Sequence, residues 1–310
     1  MTYKPNIAIV HSDLDGLGCQ LVLKSKFNDI FYMNIHHNEV IQTLIDLEEN
    51  LKVDRNKQNI IFGDLSLGLD EFKIIKRIVE DNKNITFIFA DHHIRTKELS
   101  QFIKDIPSNF IDLYDIKRSS ASILLYYFNV QHKYLRELID IINIYDLWVT
   151  KDEKFKESLI INELYESVGH RVFFDNIQGF KLNDYLLNKY NKILNKVDKF
   201  IISAPNNQLI YTNDKICLAH LDNYKSIIQY YFNRDIVIFI SSNLNFSFRL
   251  SNNLKDYEID DITKKFFMLF ERKGIIYYHA HKQVFGFNST PEHLNTDIDD
   301  LIMFIQENFN

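Results

Sequence analysis

The stretch Ile85-Thr86-Phe87-Ile88-Phe89-Ala90-Asp91-His92-His93 decides how this chain is read. Its first six residues are rich in β-branched and aromatic side chains and have the length of a buried strand. An acid and two imidazoles stand at its carboxyl end. Ionisable groups placed there cost several kcal/mol, about one buried ion's penalty, unless they are paired or hold a metal.

Working outward, short apolar runs recur at Asn6–His11, Ile30–Ile35, Asn59–Gly63 and Asn109–Leu113. Helical patterns lie between them, near Leu17–Asn28, Val40–Leu51 and Asp70–Asn82. Strands alternating with helices predict an α/β unit: a parallel sheet with helices on both faces. Ligands of such sheets bind beyond the carboxyl ends of the strands. Residues Ser119–Asp146 read as helical, and Lys181–Ser203 as a longer helix that Pro205-Asn206-Asn207 ends. The domain linker is placed there, giving expected domains at 1–200 and 208–310. The smaller second domain also reads as α/β. Its strands are expected near Gln208–Tyr211, Lys215–His220, Ile236–Ser241 and Asn245–Ser251, and its helices near Tyr224–Asn233, Asp260–Phe270 and Asp297–Phe309.

The composition narrows the class. With 310 residues, 46% of them hydrophobic, the chain can bury a sizeable core. No apolar run approaches the ~18 residues of a membrane span. The two cysteines, Cys19 and Cys217, cannot build a disulfide framework or a CxxC zinc site. No signal-like segment precedes the first strand pattern, so a reducing cytoplasm is the expected setting. A formal charge of −6 opposes long-range attraction to duplex nucleic acid, which depends on basic surfaces. It leaves room for a small phosphorylated ligand whose charge a metal ion neutralises.

Three further clusters follow elements of the same kind. His11-Ser12-Asp13-Leu14-Asp15-Gly16 lies between the first strand and a helix. Alternation puts Asp13 and Asp15 on one side of a tight turn, with Gly16 relieving backbone crowding. Alone, this is equally a turn with an Asp N-cap. Gly63-Asp64-Leu65-Ser66 follows the third strand, and a single acid there is common. Tyr145-Asp146-Leu147-Trp148 closes a helix and is equally a packed C-terminal turn. Taken jointly, His11, Asp13, Asp15, Asp64, His92 and Asp146 supply the donors that two metals sharing a carboxylate need. Imidazole with carboxylate suits Mn²⁺ or a similar transition metal, with Mg²⁺ as the alternative.

HSDLDG, GDLS, ADHH and YDLW occur in the order of the four motifs of the DHH phosphoesterase superfamily, which this chain resembles over roughly residues 1–150. The resemblance implies that Asp64 bridges two metals. It puts His11 and Asp13 on one metal, and Asp15, His92 and Asp146 on the other. His93 is then expected to face the substrate phosphate, with Asp91 orienting an adjacent imidazole. The family's C-terminal associated domain implies substrate contacts from a serine–arginine strand, matched by Ser247 and Arg249. It also has a glycine-rich turn ending in histidine. Here Tyr278-His279-Ala280-His281 replaces the glycines, and His281 is the residue carried over. Alternation along Asn245–Ser251 puts Phe246, Phe248 and Leu250 on a core face and Ser247, Arg249 and Ser251 on the other.

Ser120, at the start of a helix, is read either as a phosphate contact through free N–H groups or as part of a simple cap. His36 and His37 are read as unrelated to metal, since the donor set is already full.

The expected function is two-metal hydrolysis of phosphoester bonds, on short oligonucleotides or small (cyclic) nucleotides. The alternatives are RecJ-like single-strand exonuclease action and a nucleotide-binding module without catalysis. A homodimer is compatible with either. Expected partners include no membrane and no duplex DNA.

Overall fold

The computed structural model describes residues 6–53, 59–203, 209–212, 214–220, 234–241, 245–251, 254–272, 277–281, 284–288 and 293–309. It divides into two compact units, Met1–Tyr190 and Asn191–Asn310. The expected linker at 205–207 lies outside the described residues.

In the first unit, β1 (Asn6–His11), β2 (Ile30–Ile35), β3 (Asn59–Gly63), β4 (Thr86–Asp91) and β5 (Phe110–Tyr114) form one sheet in the order β2-β1-β3-β4-β5. All its pairings are parallel. The chain turns one way from β1 to β2 and the other way from β3 to β5. The topological switch therefore lies between the carboxyl ends of β1 and β3, where open α/β sheets bind ligands. His11 and Asp64 stand at those two ends.

Period-2 alternation divides the strands between two helical layers. Ile7, Ile9, Ile60, Phe62, Phe87 and Phe89 pack against α2 (Val40–Val53), α3 (Leu69–Asp81) and α4 (Lys97–Lys104). On the other face, α1 (Leu14–Lys26) contacts β1 and also α5 (Ser120–Tyr127) and α6 (Lys133–Asp146). Gly18 makes that approach possible: a Cβ there would lie 2.8 Å from the Ala121 Cβ. Helices α7 (Phe155–Val168) and α8 (His170–Asp175) follow, then a small hairpin of β6 (Ile177–Gln178) and β7 (Lys181–Leu182), then α9 (Asp184–Ser203).

Residues 119–146 are not one helix. Asn129, at φ 51°, ends α5. Its N–H reaches the Tyr126 carbonyl and the Val130 N–H reaches the Leu125 carbonyl, the paired bonds of a left-handed C-terminal cap. The same device ends α6, with Trp148 at φ 52° in the place that glycine usually takes. Its ring packs on Phe155 at 5.1 Å, which holds it there.

The second unit carries a mixed sheet in the order β12-β13-β11-β10-β9-β8. Its strands are β8 (Leu209–Thr212), β9 (Ile216–His220), β10 (Ile236–Ile240), β11 (Asn245–Leu250), β12 (Tyr277–His281) and β13 (Val284–Asn288). α10 (Asp256–Arg272) and α11 (Leu294–Phe309) share a core with one face of this sheet. Phe246, Phe248 and Leu250 are fully buried in that core, as their alternation predicts. The expected helix at 224–233 lies outside the described residues. The Tyr277–His281 stretch, expected where the family has a glycine-rich turn, is the outermost strand β12.

Candidate metal centre

Asp13 is the N-cap of α1. Its Oδ1 accepts the Gly16 N–H at 2.8 Å, and its Oδ2 lies 2.8 Å from His11 Nδ1. The cap and the acidic site are thus one residue with two oxygens in use. Gly16 is required by space: a Cβ there would sit 1.9 Å from the His11 carbonyl oxygen. Asp15 lies in the first turn of α1, within reach of the charge of Asp13. It is buried and points toward α5. There its Oδ2 accepts the Ser120 N–H at 2.7 Å, and its Oδ1 accepts the Ala121 N–H at 3.1 Å. Those N–H groups are therefore engaged by the chain's own carboxylate and do not stand open for a phosphate. The Ser120 hydroxyl lies 3.4 Å from Asp64 Oδ1.

Asp64 follows β3 at φ 60°, a backbone region that side-chain-bearing residues seldom occupy and that clusters at functional sites. Its N–H donates to the Ala90 carbonyl at 3.0 Å, tying it to the end of β4. His92 Nε2 lies 3.3 Å from Asp64 Oδ1 and 3.2 Å from Asp146 Oδ2. Asp146 is the last residue of α6, where the helix dipole disfavours an anion.

Among the described residues three donor groups result, each with its ligand atoms within 4.8 Å of one another: His11, Asp13 and Asp64; Asp15, His92 and Asp146; and Asp64, His92 and His93. Asp64 belongs to two of them. Asp91 lies behind, with Oδ1 2.8 Å from His93 Nδ1. His37 stacks beside His11 at 4.3 Å and belongs to none of the three groups. Ser247, Arg249 and His281 lie in the second unit. Ser247 is buried, Arg249 is partly exposed, and of His281 the backbone alone is described.

The chain is 27% identical over 223 residues to a 3′,5′-cyclic-nucleotide phosphodiesterase of Helicobacter pylori, a match covering 66% of this chain and 59% of that protein. The chain thus spans less than two thirds of that relative's length. The structure is similar to that of PggH, a pGpG-specific phosphodiesterase from Vibrio cholerae. The TM-score is 0.59 at 13% identity, over 98% of this chain and 99% of that one. No family model matches the chain. The four motifs converge at one switch point on this shared fold. In the order of its four motifs the chain resembles the DHH phosphoesterase superfamily.

The electrostatics of the site call for positive charge. Burial, and then the neighbouring charge of Asp13, push Asp15 up to about 6. Burial and the charges of Asp13, Asp15 and Asp146 raise Asp64 well above the usual carboxylate range. Burial raises Asp146 in the same way, with Asp15, Asp13 and Asp91 adding to it. Asp13 goes the other way. Enclosure by the protein raises it, but His11, Asp64 and the Gly16 N–H together hold it down to about 2. For His11, burial is outweighed by the bond to Asp13 and by the charges of Asp13 and Asp15, so its pKa rises. Asp64 Oδ2 and Asp146 Oδ2 are buried and receive no hydrogen bond among the described residues. Acceptors left in this state, beside imidazole nitrogens, fit divalent cations as their missing partners.

Two features of the site escape sequence reading. Asp15 is anchored on α5, and Arg95 grips Asp112 through two bonds of 2.7 and 3.0 Å. The nearness of Arg95 to the ADHH block was the available signal for the second.

Proposed function

We propose that the chain is a metal-dependent phosphodiesterase acting on short oligonucleotides or small (cyclic) nucleotides. The observation that carries this reading is the cluster of two donor groups, His11, Asp13 and Asp64 in one and Asp15, His92 and Asp146 in the other, with His92 Nε2 3.3 Å from Asp64 Oδ1 linking the two. The name of the Helicobacter relative supports the substrate class.

Two cations, Mn²⁺ by the mixed imidazole and carboxylate donors, would be held by His11, Asp13 and Asp64 on one side and by Asp15, His92 and Asp146 with Asp64 on the other. When bound, such ions supply a hydroxide near neutral pH and neutralise charge on phosphate oxygens. The remaining work falls to the chain. The α5 N–H groups fix the Asp15 carboxylate. Asp91 engages His93 Nδ1, which leaves Nε2 as the imidazole atom that can meet a substrate oxygen. In the second unit, Arg249 with Ser247, and His281, are the proposed substrate contacts, Arg249 as a forked phosphate donor.

The test is a Mn²⁺-supplemented panel read by product mass. It includes dinucleotides, long single strands, 3′,5′-cyclic nucleotides, cyclic dinucleotides, bisphosphonucleosides and pyrophosphate. The expected result is turnover of the short or cyclic phosphodiesters, abolished by chelator. Processive release of mononucleotides from long strands would favour an exonuclease instead. Tight nucleotide binding with no turnover would favour a binding module.

A further inference from the structure

Arg95 lies two residues beyond the ADHH block, yet its side chain turns back over the ends of β4 and β5 and is 5% exposed. Its guanidinium forms a two-pronged pair with Asp112 on β5 and stacks 4.0 Å from the Tyr114 ring centre. The Phe89 ring lies below it at 5.4 Å. Parallel pairing of Phe89 with Asp112 and of Asp91 with Tyr114 puts these four side chains on one face of the sheet. From this clamped position Arg95 Nη2 reaches to 3.7 Å from Asp91 Oδ2.

The two oxygens of the buried Asp91 are thereby divided. Oδ2 faces Arg95, while Oδ1 faces His93, 2.8 Å from the ring Nδ1 and 3.4 Å from the backbone N–H. The guanidinium charge 3.7 Å from Oδ2, beyond hydrogen-bond reach, favours the carboxylate rotamer that leaves Oδ1 to His93. A guanidinium fork pinned by Asp112 is a rigid way to hold it. Among the described residues, the Lys or Arg side chain paired with Asp91 is Arg95.

We infer that Arg95 is a positioning residue for His93: through Asp91 it fixes the ring orientation and keeps the proton on Nδ1, so that Nε2 is presented to the substrate. This deepens the proposed function and rests on the reading of His93 as the substrate-facing imidazole. Arg95 itself touches neither the donor groups nor a reacting atom. The chain Asp112–Arg95–Asp91–His93 works as an outer brace, and loss of such a brace commonly lowers activity about ten- to hundred-fold.

The experiment uses the full chain labelled with ¹⁵N-histidine and loaded with Mg²⁺, with His93→Gln assigning the His93 ring signals. In the wild type, His93 is expected as the Nδ1–H form. In Arg95→Met, which keeps an apolar stem over the aromatic rings, both ring forms are expected. The kcat should fall about ten- to hundred-fold, with KM and metal affinity within about two-fold of wild type. Arg95→Lys, which keeps the charge and loses the fork, should recover part of kcat. Wild-type ring signals and kcat in Arg95→Met, or a lowered Tm with the His93 signals unchanged, would overturn the inference. Should Arg95→Met not fold, Arg95→Lys decides, and unaltered His93 signals in it overturn the inference. Absence of hydrolysis by the wild type would remove the proposed activity, while the ring signals would still decide whether Arg95 sets His93.

Discussion

The Asp15 carboxylate accepts the backbone N–H of Ser120 at 2.7 Å, across 105 residues of chain. The N-terminus of α5, which could have held a phosphate, holds a side chain of the protein's own acidic cluster. Backbone donors at a helix N-terminus favour an anion and fix its direction. Asp15 is thus oriented before any cation arrives, and its remaining capacity faces His92 and Asp146.

Ser120→Pro tests that bond. Proline is tolerated at the first position of a helix, and Ser119 already has an extended backbone suited to precede it, at φ −61° and ψ 156°. The substitution removes the N–H donor and the hydroxyl together, so Ser120→Ala serves as the control for the hydroxyl. A hydrogen bond to a charged group is worth about 1.5–3 kcal/mol. Mn²⁺ affinity of the proline variant, measured by calorimetry, is therefore expected to fall about ten- to hundred-fold below that of Ser120→Ala. Equal affinities would show that the bond has no role in holding the site.

Asp64→Asn separates stability from activity. Asparagine tolerates the left-handed backbone that Asp64 adopts at φ 60°, so the local chain can keep its path. The substitution also removes a buried negative charge that Asp13, Asp15 and Asp146 repel. The metal-free variant is expected to melt at a higher temperature than the metal-free wild type. The proposed Mn²⁺-dependent phosphodiesterase activity should be lost in it, and Mn²⁺ should no longer raise its Tm. A variant that melts lower without metal and keeps its activity would contradict both expectations.

Stability without metal should depend on pH with a defined sign. The folded pKa of Asp15, about 6, lies above the ordinary 3.8. A group raised in this way contributes most below the ordinary value, and its contribution is lost as pH climbs through about 6. In chelator, Asp15→Asn should therefore match the wild type near pH 4 and exceed its Tm near pH 7. Binding of Mn²⁺ between pH 5 and 6 should release protons, seen as binding heats that change with the ionisation enthalpy of the buffer. A constant difference in Tm across this range would show that Asp15 does not titrate in the folded chain.

Gly16→Ala should be the most damaging single-methyl change in the first unit. Its Cβ would fall 1.9 Å from the His11 carbonyl oxygen, a backbone atom that cannot move without shifting β1 or the start of α1. Either shift displaces His11 and Asp13 together. The expected result is loss of Mn²⁺ binding and a lowered Tm, read by calorimetry and circular dichroism. Gly179→Ala supplies the comparison: nothing lies within 4 Å of its added methyl, and its φ of 56° confines the penalty to local strain.

Much of the fold is legible in local patterns. The short apolar runs became β1 to β5, and Phe246, Phe248 and Leu250 went to the core by simple alternation. Period-2 and period-3.6 burial are properties of neighbouring residues, so a linear reading can find them. The break at Asn129 had a local signal too, since asparagine is a common left-handed cap, but the helical pattern on either side concealed it. Strands β12 and β13 were not read as a pair, because edge pairing depends on what lies opposite and not on residues in line.

By itself the sequence determined which donor types stand at the ends of β1, β3 and β4 and at the end of α6, and so the class of chemistry they suit. Tertiary structure decided how those donors divide around Asp64, that α5 grips Asp15, and that Arg95 stands behind Asp91. Ligand type is written residue by residue. Partnership between atoms 50 or 100 positions apart is set by strand order and helix packing, which no single motif encodes.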